Sequence, residues 1–235
     1  MILPNYNYDK LKSFLKNALF IYGIAIVIYI PLNIYNGYFS MNNLLPNIIK
    51  DIVFDGTLYH LWYLPASIIG ASIAYFLVKK LGLKYSFVIT IILYVIAIFG
   101  DSYYGFSEKL PLLKNLYEYV FEVSDYTRNG VFFAPVFFIL GGIVANKYNY
   151  MSPKNSLIGF LISFLLMFCE GILLHKLGVQ RHDSMYIMLL PCMYFLFTAL
   201  TFLKGPRARL LRTSSLIIYI LHPLICLKKN KKLFT

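Results

Sequence analysis

Charged residues are scarce in this sequence. Only 14% of its 235 residues are Asp, Glu, Lys or Arg, while 59% are hydrophobic. Because roughly a quarter of the residues in a typical soluble domain are charged, this composition excludes an ordinary soluble domain and indicates a membrane protein. Aromatic residues are abundant by contrast, with 21 Tyr and 20 Phe, as expected where many helices meet the membrane–water interfaces.

Residues and motifs that define several common kinds of site are rare or missing. The three cysteines, Cys169, Cys192 and Cys226, lie within apolar runs and lack metal-ligand spacing, which argues against a disulfide framework and a zinc site. The sequence has no glycine-rich phosphate loop, metal triad or Gly-x-Ser-x-Gly nucleophile motif. We therefore expect neither a bound metal nor a bound cofactor.

Long apolar runs dominate the sequence. Runs close to the length that a membrane-crossing helix needs are residues 15–35, 60–81, 85–100, 130–146, 155–176, 184–203 and 214–227. They predict an all-α fold, a polytopic transmembrane helical bundle of about seven helices that forms a single domain over residues 1–235. We expect the shorter apolar segment 44–54 to lie in the membrane interface and residues 101–129 to form a long loop.

The net charge of +12 is distributed unevenly along the chain. If the N-terminus is cytoplasmic and the helices alternate, the cytoplasmic segments carry more Lys and Arg, and the outer segments carry most of the acidic residues. This pattern predicts a multi-pass protein of the plasma membrane with a cytoplasmic N-terminus. It assigns the positive charge to the lipid bilayer as partner and argues against nucleic acid. The basic tail, residues 228–232, falls on the wrong side, which we interpret in two ways: either the seventh segment does not span the membrane, or the C-terminal end is incomplete.

Ionisable residues concentrate at the helix ends that this map places on the outer face. They are Asp55, His60, Asp101, Arg128, His175, Arg181, His182 and Asp183. They predict an outward-facing polar bowl, in which histidine–carboxylate pairs transfer protons and arginines hold an anion or a carboxylate. The expected substrate-binding residues are Asp101, Arg128, Arg181, His182 and Asp183. The alternative interpretation is a set of solvated loop ends, with Asp183 capping the sixth helix.

Two residues are candidates for catalysis. Glu170 lies inside the fifth predicted helix, where a carboxylate costs several kcal/mol unless it faces a cavity or a partner. His60 stands beside the only tryptophan, at the interface where the second helix begins. The alternative explanation for Glu170 is structural: the carboxylate is hydrated near the membrane boundary, or it pairs with a histidine of a neighbouring helix. His222, which precedes Pro223 in the last apolar run, is weak evidence by itself.

Several motifs resemble those of a known family. The stretch His60–Pro65, His-Leu-Trp-Tyr-Leu-Pro, resembles a signature of the acyltransferase-3 family of integral membrane O-acyltransferases. The stretches 100–104, 127–135, 181–186 and 216–224 resemble one branch of that family, the membrane domain of vancomycin-resistance-type serine/alanine racemases. The resemblance covers residues 15–225 and keeps the motifs in order.

This resemblance implies a chemistry, and the chain departs from the family in two respects. Family members transfer an acyl group from a cytoplasmic donor, with acyl-CoA as the expected donor, to a hydroxyl acceptor at the outer face. Their proposed catalytic histidine belongs to an N-terminal helix for which this chain has no counterpart. The pyridoxal-phosphate-dependent racemase domain of the related branch is also absent from the chain. We therefore expect the domain to be incomplete at both ends, and we transfer no catalytic histidine to His60.

Three hypotheses about function follow. The first is acyl transfer, with a histidine–carboxylate pair activating the acceptor hydroxyl. The second is binding or uptake of a small amino acid such as serine, with Arg128 and Arg181 holding the carboxylate and Glu170 or Asp101 the ammonium group. The third is an inactive fragment.

Overall fold

The computed structural model describes residues 7–40, 43–146, 151–203 and 209–227, and within these ranges the chain is helical without a β-strand. The helices are α1 (Tyr8–Tyr35), α2 (Leu44–Lys50), α3 (Tyr63–Phe99), α4 (Tyr104–Glu108), α5 (Pro111–Val123), α6 (Ala134–Ala145), α7 (Pro153–Leu177), α8 (Leu189–Thr201) and α9 (Arg209–Leu227). The predicted all-α fold is confirmed. The basic tail at residues 228–232 lies outside the described residues.

Among the described residues, three helices, α1, α3 and α7, have the length and apolar composition to cross a membrane. Much of their surface is apolar and exposed, as on the α7 residues Leu161, Leu165 and Phe168, which fits contact with lipid. The apolar helices α6 and α8 and the segment Ser214–Pro223 are shorter than a full span. The chain is therefore a polytopic membrane bundle, while seven crossings stay a prediction.

Helix α3 is two antiparallel apolar helices joined at Gly82. Gly82 has φ 75° and ψ 170°, a conformation outside the helical region that favours glycine. Near the start of α3, Ile69 packs closely on Gly130: a Cβ added to Gly130 would lie 2.5 Å from the Ile69 side chain. Near its end, the Ala97 carbonyl accepts a hydrogen bond from Thr127 Oγ1 at 2.8 Å. Both ends of α3 thus meet residues 127–130, so the chain reverses at Gly82, and the two helices predicted over 60–81 and 85–100 are confirmed.

The core forms where α6 packs between the two halves of α3. Ile139 packs with Ala71 and Tyr75 of the first half, and Val136 packs with Tyr94 of the second half. Close approach requires small residues, and a Cβ on Gly70 would lie 2.5 Å from the Cβ of Ala134. Helix α1 packs on α3, and α7 packs on α8, which also contacts α6.

Two sequence predictions about element bounds are wrong. The predicted loop 101–129 contains α4 and α5, and Pro111 at the first position of α5 has the backbone angle that a helix start requires. The sixth predicted helix begins at Leu189 instead of residue 184. Asp183 is therefore too far upstream to cap it. Residues 184–188 are non-helical because their backbone and side chains bind groups on α3 and α7, as described next.

Candidate functional site

The candidate site lies at one end of the bundle, where the C-terminal end of α3, the segment before α6 and the α7–α8 connection meet. We call this the site end. The backbone N–H of Arg181 donates to the Asp101 carbonyl at 3.1 Å, which joins the α7–α8 connection to α3. Asn129 is fully buried, and its side-chain oxygen accepts from the N–H groups of Val131 and Phe132 at 3.0 and 3.1 Å. The loop before α6 is therefore held rigidly.

Asp101 is the buried carboxyl group of the site end. It is 0% exposed, and its Oδ1 accepts from Ser184 N at 2.9 Å and from Ser102 Oγ at 3.0 Å. Its Oδ2 is buried and accepts no hydrogen bond from the described residues. Burial raises the pKa of Asp101, while the bonds from Ser184 and Ser102 and the positive charges nearby oppose the increase. One carboxylate oxygen is thus saturated and the other is free to accept.

Arg128 is the cation that faces this carboxylate across Ser184. Its Nη1 donates to Ser184 Oγ at 3.0 Å, and its Nε is buried without a partner among the described residues. The guanidinium lies 4.5 Å from the Tyr126 ring centre and 5.1 Å from that of Trp62. Two aromatic faces therefore hold the planar group in place and shield it from water. One buried donor stays unused.

His182 closes the same cluster. Its ring lies 4.6 Å from the ring of Tyr126, and its carbonyl accepts from Ser102 Oγ at 3.2 Å. Burial lowers the pKa of His182, the charges of Arg181 and Arg128 lower it further, and the carboxylate of Asp101 opposes the decrease. Asp101, Arg128 and His182 are therefore brought together as the sequence predicted, and we call these three residues with Ser102 and Ser184 the Asp101 cluster.

Glu170 has a different setting from the one expected. Its Oε1 accepts from Tyr103 Oη at 2.6 Å and from Ile187 N at 2.7 Å, and its Oε2 accepts from Met188 N at 2.9 Å. Ile187 and Met188 immediately precede α8, so this carboxylate of α7 satisfies N–H groups at the start of a neighbouring helix. The described residues provide no histidine as a partner for Glu170, while hydration of this half-buried carboxylate stays a prediction.

His60 lies in a separate aromatic cluster with α1 and α9. It is 7% exposed, and its ring lies 5.2 Å from that of Tyr29 and 5.3 Å from that of His222. Its ring nitrogens make no hydrogen bond of regular geometry within the described residues, although the Ile220 carbonyl is close enough to oppose the decrease of its pKa. Burial, with a smaller contribution from His222, lowers the pKa of His60 to about 4. The imidazole is therefore neutral at physiological pH and is surrounded by rings, apart from the Asp101 cluster.

The other predicted residues lie at the rim or support it. Arg181 and Asp183 are exposed, and the Arg181 guanidinium lies 3.3 Å from the centre of the Phe121 ring, which directs it toward α5. Asp55 is buried and accepts from the N–H groups of Asp125 and Tyr126 at 2.8 and 3.3 Å, so it anchors the loop that leads to Arg128. His175 is exposed near the end of α7.

The described residues contain one group of three or more potential metal ligands. Oxygens of Asp51, Asp55 and Asp125 lie within 4.8 Å of one another. They are already engaged, because Tyr38 donates to Asp51 at 2.5 Å and Lys50 Nζ contacts Asp125 at 2.5 Å. The cluster ties the segment after α2 to the segment after α5, and we assign it no metal.

The sequence did not predict the roles of some residues in and around the Asp101 cluster. Ser102 and Ser184 connect the charged groups, and the rings of Trp62 and Tyr126 sandwich Arg128. A signal for the serines was present, since each directly follows an aspartate in a family-like motif. Nothing in the sequence predicts the stacking, because Trp62 lies far from Arg128 in the chain.

An apolar groove of about 1120 Å³ begins beside the cluster and runs along the bundle between α1, α3, α6 and α8. Trp62 and Phe133 line it at the site end, and Lys10 and Thr201 line it toward the other end. Trp62 therefore has one contact with the guanidinium of Arg128 and another with the groove.

The chain matches one family model and several related proteins of known name. The family described as an acyltransferase domain, acyltransferase-3, matches residues 1–228. Two proteins named amino-acid racemase from Enterococcus faecalis are 54% identical over 210 residues, which cover 89% of this chain and 29% of the relative, and 38% identical over 223 residues, which cover 93% and 32%. A serine/alanine racemase from Enterococcus gallinarum is 32% identical over 218 residues, 92% of this chain and 31% of the relative. The chain thus spans about a third of the length of these relatives. No solved structure matches the chain.

Proposed function

The chain belongs to the acyltransferase-3 family, and on that premise we propose that its site end binds a small amino acid, with Arg128 holding the carboxylate and Asp101 the ammonium group. The observation that carries the proposal is the pair of unused buried groups, the Nε donor of Arg128 and the Oδ2 acceptor of Asp101. Ser184 binds both residues, so donor and acceptor belong to one rigid unit.

The energetics favour a zwitterionic ligand. Each buried polar group without a partner costs about 1–3 kcal/mol, and more when it is charged. A ligand that presents an anion to Arg128 and a cation to Asp101 recovers both costs, and the planar guanidinium matches a carboxylate with two parallel N–H groups. The names of the relatives, amino-acid racemase and serine/alanine racemase, support an amino acid as the ligand class.

A binding experiment with matched ligands tests the proposal. The chain is reconstituted in lipid nanodiscs, and displacement of radiolabelled L-serine is measured with L-serine, L-alanine, serinamide and N-acetylserine. Serinamide lacks the carboxylate and N-acetylserine lacks the ammonium group, so both are expected to compete far more weakly than serine.

The matched variants are Arg128→Lys and Arg181→Lys. Arg128→Lys keeps the charge but removes the planar donor pair, and we expect it to weaken serine binding by roughly tenfold or more. Arg181→Lys changes a residue whose side chain points toward α5, and should leave binding close to that of the unaltered chain. Equal competition by all four ligands, or equal losses in both variants, would contradict the proposal.

A second candidate function, acyl transfer from a cytoplasmic donor to a hydroxyl acceptor at the outer face, is favoured by the groove. An apolar channel that ends at Trp62, next to a half-buried histidine and a buried carboxylate, suits an acyl chain whose reactive end must reach the Asp101 cluster. In this case His182 with Asp101 would serve as the histidine–carboxylate pair.

A substitution at Gly141 distinguishes the two candidate functions experimentally. It lines the groove, and a Cβ at this position would meet nothing within 4 Å, so Gly141→Leu narrows the groove without a backbone clash. We expect the variant to lose acyl transfer from labelled acyl-CoA while retaining serine binding. Acyl transfer by Gly141→Leu at the rate of the unaltered chain would show that the groove does not hold the acyl chain.

A further inference from the structure

We infer that α5, together with α2, is an interfacial helix that lies in the headgroup region of the bilayer at the site end and inserts its apolar side into the lipid. This goes beyond the proposed function and does not depend on it. The starting observation is that α5, within a segment predicted as a loop, has three distinct sides instead of two.

The first side of α5 is packed on the protein. Tyr117 is 3% exposed, and its hydroxyl donates to the Ile96 carbonyl at 2.7 Å, near the end of α3. Phe121, one turn further along the helix, lies under the guanidinium of Arg181. These contacts fix the orientation of the helix.

The second side is apolar and uncovered. Leu112, Leu116, Tyr119 and Val123 are all exposed, from 48% at Leu116 to 83% at Leu112. At 100° per residue, these four side chains fall within about 60° of the helix circumference, and the centre of this stripe lies about 150° from that of the packed side. A stripe of this kind needs an apolar environment, and an exposed tyrosine within it is typical of a membrane interface.

The third side is polar and lies between the packed side and the stripe. Glu118 and Glu122 are exposed and lie one turn apart on this side. A helix with adjacent packed, apolar and charged sides matches an element that touches protein, lipid and water at the same time. Because this charge is acidic, the apolar stripe has to drive the insertion, without attraction to anionic headgroups.

Helix α2 gives the lipid surface continuity. Its exposed side chains Leu45 and Ile49, with Ile52 after it, form a second apolar stripe. Lys50 links the two helices, since its Nζ contacts Asp125 Oδ1 at 2.5 Å and donates to the Phe121 carbonyl at 3.3 Å. The apolar helix α3 ends at Phe99, and α5 contacts its last turn through the hydrogen bond from Tyr117 to Ile96, so α5 lies at the level where α3 leaves the membrane.

Fluorescence quenching of a site-specific label tests the inference. Cysteines are placed singly at Leu116 and Tyr119 on the stripe, at Glu118 and Glu122 on the polar side, and at Leu161 on the exposed side of α7, in a background in which Cys169, Cys192 and Cys226 are serine. Each is labelled with an environment-sensitive fluorophore in liposomes. The quenchers are lipids with a nitroxide near the headgroup, lipids with a nitroxide near the acyl end, and aqueous iodide.

Labels at positions 116 and 119 are expected to emit at shorter wavelength and to lose most fluorescence with the headgroup-proximal nitroxide. Labels at 118 and 122 should respond to iodide, and the label at 161 to the deeper nitroxide. The inference is overturned if positions 116 and 119 respond to iodide as strongly as 118 and 122, which would place α5 in water. Protection of 116 and 119 from all three quenchers would also overturn it, because a protein surface would then cover the stripe. Two positions on each side guard against a single variant that fails to fold.

Discussion

Glu170 and Asp101 are carboxylates at the same end of the bundle, and they differ in how their oxygens are used. Both oxygens of Glu170 accept hydrogen bonds, from Tyr103 and from the two N–H groups that precede α8. Only one oxygen of Asp101 does so, although Asp101 is the more deeply buried residue. The contacts of Glu170 hold the structure together, whereas the unused oxygen of Asp101 and the unused Nε of Arg128 support the proposed ligand site.

The largest expected effect is on ligand binding in Asp101→Asn. Asparagine keeps the oxygen that accepts from Ser184 but replaces the free anionic oxygen with an amide nitrogen. Loss of one partner from a buried charge pair costs about 2–5 kcal/mol, so serine binding should weaken roughly 30-fold or more. The measurement is equilibrium binding in nanodiscs, with thermal unfolding as a check that the variant is folded.

The difference between the two carboxylates disappears if Asp101→Asn binds serine normally and unfolds much more easily. That outcome would make Asp101 a second structural carboxylate like Glu170.

A smaller effect, on stability instead of binding, is expected for Glu170→Gln. In the variant, an amide NH₂ group replaces one of the two carboxylate oxygens that accept hydrogen bonds. At least one hydrogen-bond donor then faces another donor and stays unpaired, which costs about 1–3 kcal/mol. The free energy of unfolding, measured by denaturant titration in detergent micelles, should fall by that amount. Tyr103→Phe removes one of the same hydrogen bonds and should produce a smaller fall.

Serine affinity of the folded Glu170→Gln fraction should match that of the unaltered chain. A loss of affinity without a loss of stability would move Glu170 into the binding site.

A pH-dependent effect on stability is expected for His60, which lies outside the Asp101 cluster. Its pKa is about 4 in the folded chain against 6.5 as the ordinary value, so the unfolded chain takes up more protons between these limits. Stability should therefore be fully present above pH 6.5 and fall as the pH drops toward 4. His60→Phe should flatten this part of the stability–pH curve, while the exposed control His175→Gln should not.

An unchanged slope in His60→Phe would show that another group titrates there. Asp55 is the group to separate from it, since burial raises its pKa to about 6 and gives the opposite slope, with stability falling as the pH rises from about 4 to 6.

Much of the fold was predictable because long apolar runs have few ways to satisfy their backbone in lipid. The two helices on either side of Gly82 were identified from such runs, and the family-like motifs around Asp101, Arg128 and His182 pointed to residues that do meet. Helix α5 was missed because its acidic and tyrosine-rich sequence resembles a loop, and its apolar residues are divided between a packed side and an exposed side. That division is decided by contacts with α3, which no local pattern contains.

The sequence by itself determined that this protein is an all-α membrane bundle of the acyltransferase-3 family, since hydrophobic length and motif order are properties of the chain. It also nominated the ionisable residues at the helix ends. Only the tertiary structure decided their hydrogen-bond partners, because these come from distant positions: Ser184 reaches Asp101 across 83 residues, and Ile187 reaches Glu170 from the segment before α8. Which carboxylate keeps an unused oxygen follows from that pairing.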